Sequence, residues 1–212
     1  MTITNFSATA DSGYAYAQAA TWTDARNAVS ATATVWDDSI DFSQYSNGSW
    51  RVYHGYLVFD TSTLPVGEVV HSAELRLYVT QDDGSGLVVQ DGQPIYPSVP
   101  PVDGDFDITQ YGILKALDAG PFLVDDYNDI TVSDVSLITV NGITKMLVRG
   151  GDDFNNLDTD PSGGVIAGPS ALNPPILVVN HRPPASGIFS QSVHEVSSTG
   201  SSPKYKDNRL LR

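Results

Sequence analysis

The 212-residue chain has no cysteine, few basic side chains and no long apolar run, and each shortage excludes something. Without cysteine there is neither a disulfide nor a thiolate metal site, so stability must come from packing and hydrogen bonds, and the redox compartment is left open. No segment approaches the roughly 20 consecutive apolar residues that a membrane-spanning helix needs. The opening Met1-Thr-Ile-Thr-Asn-Phe-Ser7 has neither the basic nor the apolar region of a signal peptide, so the expectation is a leader already trimmed or never needed. Eleven Lys and Arg face 25 Asp and Glu, a net charge of −14. The imbalance is uneven: residues 1–180 hold 6 basic against 23 acidic side chains, whereas residues 181–212 hold 5 against 2. An acidic body repels phosphate backbones, which argues against nucleic-acid binding, while a basic segment suits an acidic protein neighbour.

Motifs for common chemistries are missing as well. There is no Gly-x-Ser-x-Gly nucleophile elbow and no phosphate-binding glycine loop. The four histidines, His54, His71, His181 and His194, lie in separate segments, and a zinc site without cysteine would need three of them to converge.

What the chain does contain is period-two patterning. In Ser72–Thr80, Ala73, Leu75, Leu77 and Val79 alternate with Glu74, Arg76, Tyr78 and Thr80, the pattern of a strand with one wet face. The preceding run Tyr53–Phe59 is apolar or aromatic at almost every position, as in a strand covered on both sides or carrying an aromatic outer surface. Between the two, Leu64-Pro65-Val66-Gly67 supplies a fixed φ and then a residue that tolerates positive φ, so the chain can reverse. Shorter segments rich in Thr, Ala, Val and aromatics bring the expected count to about ten strands. The spacing of Ile108, Tyr111 and Lys115 predicts one short helix over 108–119, ended by Gly120-Pro121. The fold class that follows is all-β, a two-sheet antiparallel sandwich of jelly-roll-like form over residues 1–180. An extended Pro/Ser-rich arm over 181–212 has too few apolar residues to pack alone.

The run Leu57-Val-Phe-Asp-Thr-Ser-Thr-Leu-Pro65 followed by Ser72-Ala-Glu-Leu-Arg-Leu-Tyr-Val79 resembles the signature of the DNRLRE-type (disaggregatase-repeat-like) β-sandwich domains. The similarity continues through Asn141–Arg149 and the strand Pro175–Val179, so it covers most of the body. The resemblance implies a non-catalytic module of the kind that rides on surface proteins, polysaccharide-active enzymes or phage structural proteins.

Two sets of residues are candidates for ligand binding. Asp103-Gly-Asp105-Phe-Asp107 spaces oxygen ligands as a calcium loop does, although Ile108 and Leu114 stand where an EF-hand needs glycine and glutamate. Asp152 and Asp153, with Asp158 and Asp160, form a second acidic loop of the kind that suits calcium. Against both stands the use of Asp and Gly for turn geometry. The same clusters would have to bury a carboxyl to hydrolyse a glycosidic bond, and their Gly- and Asn-rich surroundings argue for solvation. Ten of the 20 aromatics fall between Tyr14 and Phe59. Trp36 and Phe59 are expected in the core, while Trp22, Tyr45 and Trp50 are candidates for a carbohydrate platform.

The expected function is contact without catalysis. The body would be a virion surface component, a capsid decoration or tail-associated protein, docked on neighbouring proteins by the arm through Arg182, Lys204, Lys206, Arg209 and Arg212. The alternative is a carbohydrate-binding module of a secreted enzyme or adhesin. Open sheet edges add an expectation of homo-oligomers, and neither membrane nor nucleic acid is expected as a partner.

Overall fold

The computed structural model describes residues 1–36, 38–92, 95–118 and 120–184, and their architecture is a two-sheet antiparallel sandwich. One sheet carries the strands β1 (Thr2–Ser7), β4 (Ser39–Asp41), β7 (Val69–Asp82), β10 (Asp126–Val132), β12 (Gly164–Ala167) and β13 (Ile176–Arg182). The other carries β2 (Gly13–Ala19), β3 (Ala33–Val35), β5 (Gln44–Ser46), β6 (Trp50–Asp60), β8 (Leu87–Gly92), β9 (Tyr111–Asp118) and β11 (Ile143–Gly150). Isolated bridges from Ala8 to Phe59 and from Gln44 to Ser162 stitch the layers at their corners.

The alternation in β7 sets the geometry. Ala73, Leu75, Leu77 and Val79 are buried and Glu74, Arg76 and Tyr78 are partly exposed, so one face of the first sheet is apolar. It meets Leu57 and Phe59 of β6, Met146 and Val148 of β11, and Leu87 and Val89 of β8. The reversal before β7 is the expected one: Gly67 adopts φ 86° and Glu68 N–H donates to Pro65 O at 3.1 Å.

A second, smaller core lies on the outer face of the other sheet. Ala15 and Ala17 of β2, Val52 and Tyr56 of β6, and Leu147 of β11 pack there under Trp22 and Ala25 of the helix α1 (Trp22–Arg26) and under Phe106 and Tyr111. This explains why β6 reads as apolar throughout: both of its faces are covered. Alanine recurs in β2 on the side where the helix approaches, and tyrosine recurs on the other. Thr21 caps α1, accepting from Asp24 N–H at 3.2 Å.

Several expectations are corrected. The described residues hold thirteen strands, because three-residue strands such as β4 and β5 are too short to show a period. Residues 111–118, expected in a helix, form β9 against β8 with two register shifts, and a single turn, Ile108–Gln110, precedes it. An isolated helix of that length is marginal, and the ladder of β8 outcompetes it. The helices occur instead at Trp22–Arg26 and at α2 (Gly151–Phe154), and Val135–Leu137 is a turn, not a strand. Trp36 is 51% exposed beyond the short edge strand β3, whereas Phe59 is fully buried. The last strand runs to Arg182, so His181 and Arg182 belong to the sandwich. Lys204, Lys206, Arg209 and Arg212 lie outside the described residues.

Candidate functional site

Strand β6 carries two polar constellations, one on each face. On the covered outer face, Asp153 of α2 is buried among three basic side chains. Its Oδ2 accepts from Arg149 Nε at 2.7 Å and from His54 Nε2 at 3.0 Å, and its Oδ1 accepts from Arg149 at 2.9 Å and lies 3.1 Å from Arg26 Nε. Arg149 also donates to Gln90 Oε1 at 3.0 Å, and the His54 ring stacks on Phe106 with centroids 4.1 Å apart. Arg149 and Asp153 are four residues apart across the end of β11 and the start of α2, so one turn closes the pair.

The electrostatics of this cluster are those of a fixed ion group. Burial alone would push the Asp153 carboxyl up, but Arg149 and the hydrogen bonds from His54 and Arg149 outweigh it and hold the carboxyl well below the usual range. Burial pushes the His54 imidazole down despite the neighbouring carboxylate, so the ring is neutral and its Nε2–H donates to Asp153. Every lone-pair direction of Asp153 that matters for acid–base work is already occupied by a donor.

On the other face, three tyrosines form a row across strands in register. Tyr16 of β2 lies opposite Tyr53 of β6 with ring centroids 5.2 Å apart and planes at 29°, and Tyr45 of β5 stacks on the far side of Tyr53 at 5.7 Å and 20°. Arg51 stands beside the row, its guanidinium 5.5 Å from the Tyr16 ring and 6.0 Å from the Tyr45 ring. It donates to Tyr45 Oη at 3.1 Å and to Gln18 Oε1 at 3.0 Å, and the Tyr45 and Tyr53 hydroxyls are 3.0 Å apart. Tyr16, Tyr45 and Arg51 are partly exposed, while Tyr53 is buried between its neighbours. Burial, then the Tyr45 hydrogen bond, pushes the Tyr53 phenol up, so this central ring stays neutral at physiological pH. Nearby, burial raises the Asp41 carboxyl to about 6 against the hydrogen bonds from Ser43.

The structure separates the residues expected to form a platform. Trp22 is buried in the outer core, its Nε1–H donating to Gln44 Oε1 at 2.9 Å, and Trp50 packs half-buried on the same side. Trp50 points away from Tyr45, because alternate residues of a strand face opposite sides, and Trp22 reaches the same outer face from α1. Tyr16, Tyr53, Arg51 and Gln18 take their place. The alternation Tyr14-Ala-Tyr16-Ala17 is the signal that locates them, since it sets two rings on one face. Trp36 stands alone beside a cavity of about 170 Å³ bordered by Ala10, Ser12, Pro169 and Ser170.

The expected calcium ligands are likewise dispersed. Asp105 is buried and accepts from Ser98 N–H, Ser98 Oγ–H and Val102 N–H. Asp107 accepts from both the amide and the hydroxyl of Thr109, and Asp103 accepts from Thr34 Oγ1–H at 2.6 Å. Asp153 is held by the basic cluster, and Asp160 accepts from Ser46 N–H. Among the described residues no three His, Asp or Glu side chains gather where they could hold a metal ion. Asp105 and Asp107 thus cap local turns, the use that Asp in loops most often has, while Asp103 and Asp160 tie distant segments together.

No family model matches the chain, and no curated protein matches it.

Proposed function

We propose that this chain is a non-catalytic interaction module that recognises polysaccharide through the Tyr16–Tyr53–Tyr45 row and Arg51. The observation that carries this reading is the in-register row itself, three phenol rings stacked across β2, β6 and β5 with a guanidinium laid against them. Rings braced by one another lose little freedom when a ligand settles on them, which lowers the entropic cost of binding. Their hydroxyls, Arg51 and the Gln18 amide offer donors and acceptors at spacings that suit sugar hydroxyls, and the ring edges offer apolar contact. The disposal of Asp153 supports binding over chemistry, because the carboxylate in the most basic surroundings is consumed by Arg149, Arg26 and His54. A glycan array followed by calorimetric titration of the full chain tests the reading. Tyr45→Ala and Arg51→Ala should each weaken binding tenfold or more, and Trp50→Ala, on the opposite face, should leave it unchanged. Absence of any glycan ligand, or equal loss from all three variants, sinks the platform.

The division of charge favours a second, compatible reading, in which the module sits on a virion surface or a comparable assembly. Residues 1–184 hold 23 acidic and 7 basic side chains, whereas residues 185–212 hold 4 basic and 2 acidic ones, and such a segment suits an acidic neighbour. Removing residues 185–212 should abolish incorporation while the body still folds; normal incorporation of the truncated chain would refute docking by the arm.

A further inference from the structure

The sequence holds two Asn-Gly pairs, Asn47-Gly48 and Asn141-Gly142, and the fold treats them differently. Asparagine is chemically labile, and a following glycine exposes it most, because a main-chain nitrogen with no Cβ beside it can reach the side-chain carbonyl carbon. The reaction needs two freedoms: a glycine N–H outside any hydrogen bond, and room to rotate toward Asn Cγ.

Asn47-Gly48 has both. The pair forms the exposed tip of the hairpin between β5 and β6, just beyond the cross-strand pair of Ser46 with Trp50. Gly48 adopts φ 75°, and apart from its chain neighbours no atom lies within 4 Å of the place a Cβ would take. Among the described residues neither the Asn47 side chain nor the Gly48 N–H makes a hydrogen bond; the Asn47 N–H donates to Ser49 O at 3.1 Å. Asn141-Gly142 is strapped down instead. The Gly142 carbonyl accepts from Thr61 N–H at 2.8 Å and from Thr61 Oγ1–H at 3.0 Å, and a Cβ at 142 would lie 2.8 Å from Thr139 Cγ2. Asn141 itself is held in the left-handed region at φ 56°.

The geometry points to Asn47 as a site of spontaneous covalent modification, whose product is a carboxylate at the tip of the hairpin that carries Tyr45 and Arg51. The Gly48 nitrogen attacks Asn47 Cγ, the bond from Cγ to the side-chain nitrogen breaks, and that nitrogen leaves as ammonia with the proton from Gly48, closing a succinimide. Water then opens the ring at either carbonyl. One opening gives aspartate; the other gives isoaspartate, in which the main chain runs through the former side chain and gains a methylene. Water is the one co-reactant.

This turn is wired to the tyrosine row. Ser49 Oγ accepts from Gln18 Nε2 at 2.6 Å, Gln18 Oε1 accepts from Arg51 Nε at 3.0 Å, and Arg51 donates to Tyr45 Oη at 3.1 Å. An added methylene displaces the Asn47 N–H from Ser49 O and slackens β5, whose ladder with β6 is three residues long. Tyr45 then loses its fixed place on Tyr53. The consequence for polysaccharide rests on the function proposed above; the chemistry at Asn47 does not.

Peptide mapping by mass spectrometry of the full chain, aged in mildly alkaline buffer, is the test, with an isoaspartyl methyltransferase assay to separate the two products. Asn47 should convert roughly tenfold or more faster than Asn141, since the strapped turn must open locally before it can react. Hydrogen exchange of the aged protein should quicken in residues 44–51 and stay unchanged in β11. Asn47→Gln, which would have to close a larger ring, should remain unmodified and exchange as fresh wild type does. An Asn47 that survives intact, or an Asn141 that converts as fast, overturns the site, and unchanged exchange in residues 44–51 of the converted protein overturns its coupling to the row. Neither result touches glycan binding by the fresh protein, so failure here and failure of the proposed function are told apart.

Discussion

Replacing Asp153 by asparagine should be among the most damaging single-atom-scale changes available to this protein. The carboxylate receives Arg149 through both of its oxygens, His54 at 3.0 Å and Arg26 at 3.1 Å, with the Arg149 and Asp153 side chains only 4% and 2% exposed. Asparagine keeps one acceptor oxygen but turns an N–H₂ group toward guanidinium and imidazole donors, leaving buried Arg149 without a counter-charge. Breaking one side of a buried pair costs about 3–5 kcal/mol, against a typical domain stability of about 5–15 kcal/mol. At about 2–4 °C per kcal/mol for a chain of this size, the melting temperature should fall by roughly 6–20 °C. Urea unfolding monitored by tryptophan fluorescence should show the midpoint displaced with the slope unchanged. The double change Arg149→Met with Asp153→Leu should recover much of the loss, because an apolar pair leaves no stranded charge. A cost below about 1 kcal/mol for Asp153→Asn would refute the reasoning, since it would mean that water reaches the cluster.

Two further outcomes test other parts of the structure. Trp22→Ala should cost about 3–5 kcal/mol, as large buried aromatics do, while Trp36→Ala should stay within about 1 kcal/mol, and thermal melts of the two variants compared with wild type would expose a wrong assignment of the outer core. Asp41, raised to about 6 by burial, favours its neutral form in the folded state, so its contribution to stability is present below about pH 4 and is lost as pH rises to 6. Asp41→Asn should therefore be more stable than wild type by on the order of 1–2 kcal/mol at pH 8, allowing for its partial exposure, and the two should converge at pH 4; curves that run parallel across that range would show the carboxyl to be unperturbed.

The sandwich was readable wherever one face of a strand is wet. Ala73 to Thr80 alternates because water touches every second residue, and Leu64–Gly67 carries its turn in its own backbone preferences. Readability failed where tertiary contacts decide. Tyr111–Asp118 has spacing that fits a helix, yet the β8 edge beside it supplies more hydrogen bonds than an isolated turn can. Trp36 has the composition of a core residue, but it lies at the end of a strand too short to carry it inward. Asp153 sits in a run of Gly, Asp and Asn that resembles solvated loop, and only Arg149, a cation directly after the apolar run Met146-Leu-Val148, hints that a buried partner must exist. The tyrosine row was hidden for a different reason: Tyr16, Tyr45 and Tyr53 come from three strands, and their register is a property of the sheet, not of any one segment.

The pairing of β1 with β13 joins residues 2–7 to residues 176–181, nearly the whole described length apart. Loop closure on that scale is slow relative to hairpin formation, and a chain leaving the ribosome emits its first strand long before the last. For most of synthesis Thr2–Ser7 therefore waits with both rims unsatisfied, and neighbouring nascent chains on one message would offer each other the same unguarded ribbon. The timing of biosynthesis, rather than the strength of the finished fold, sets when this protein is most exposed to misassembly.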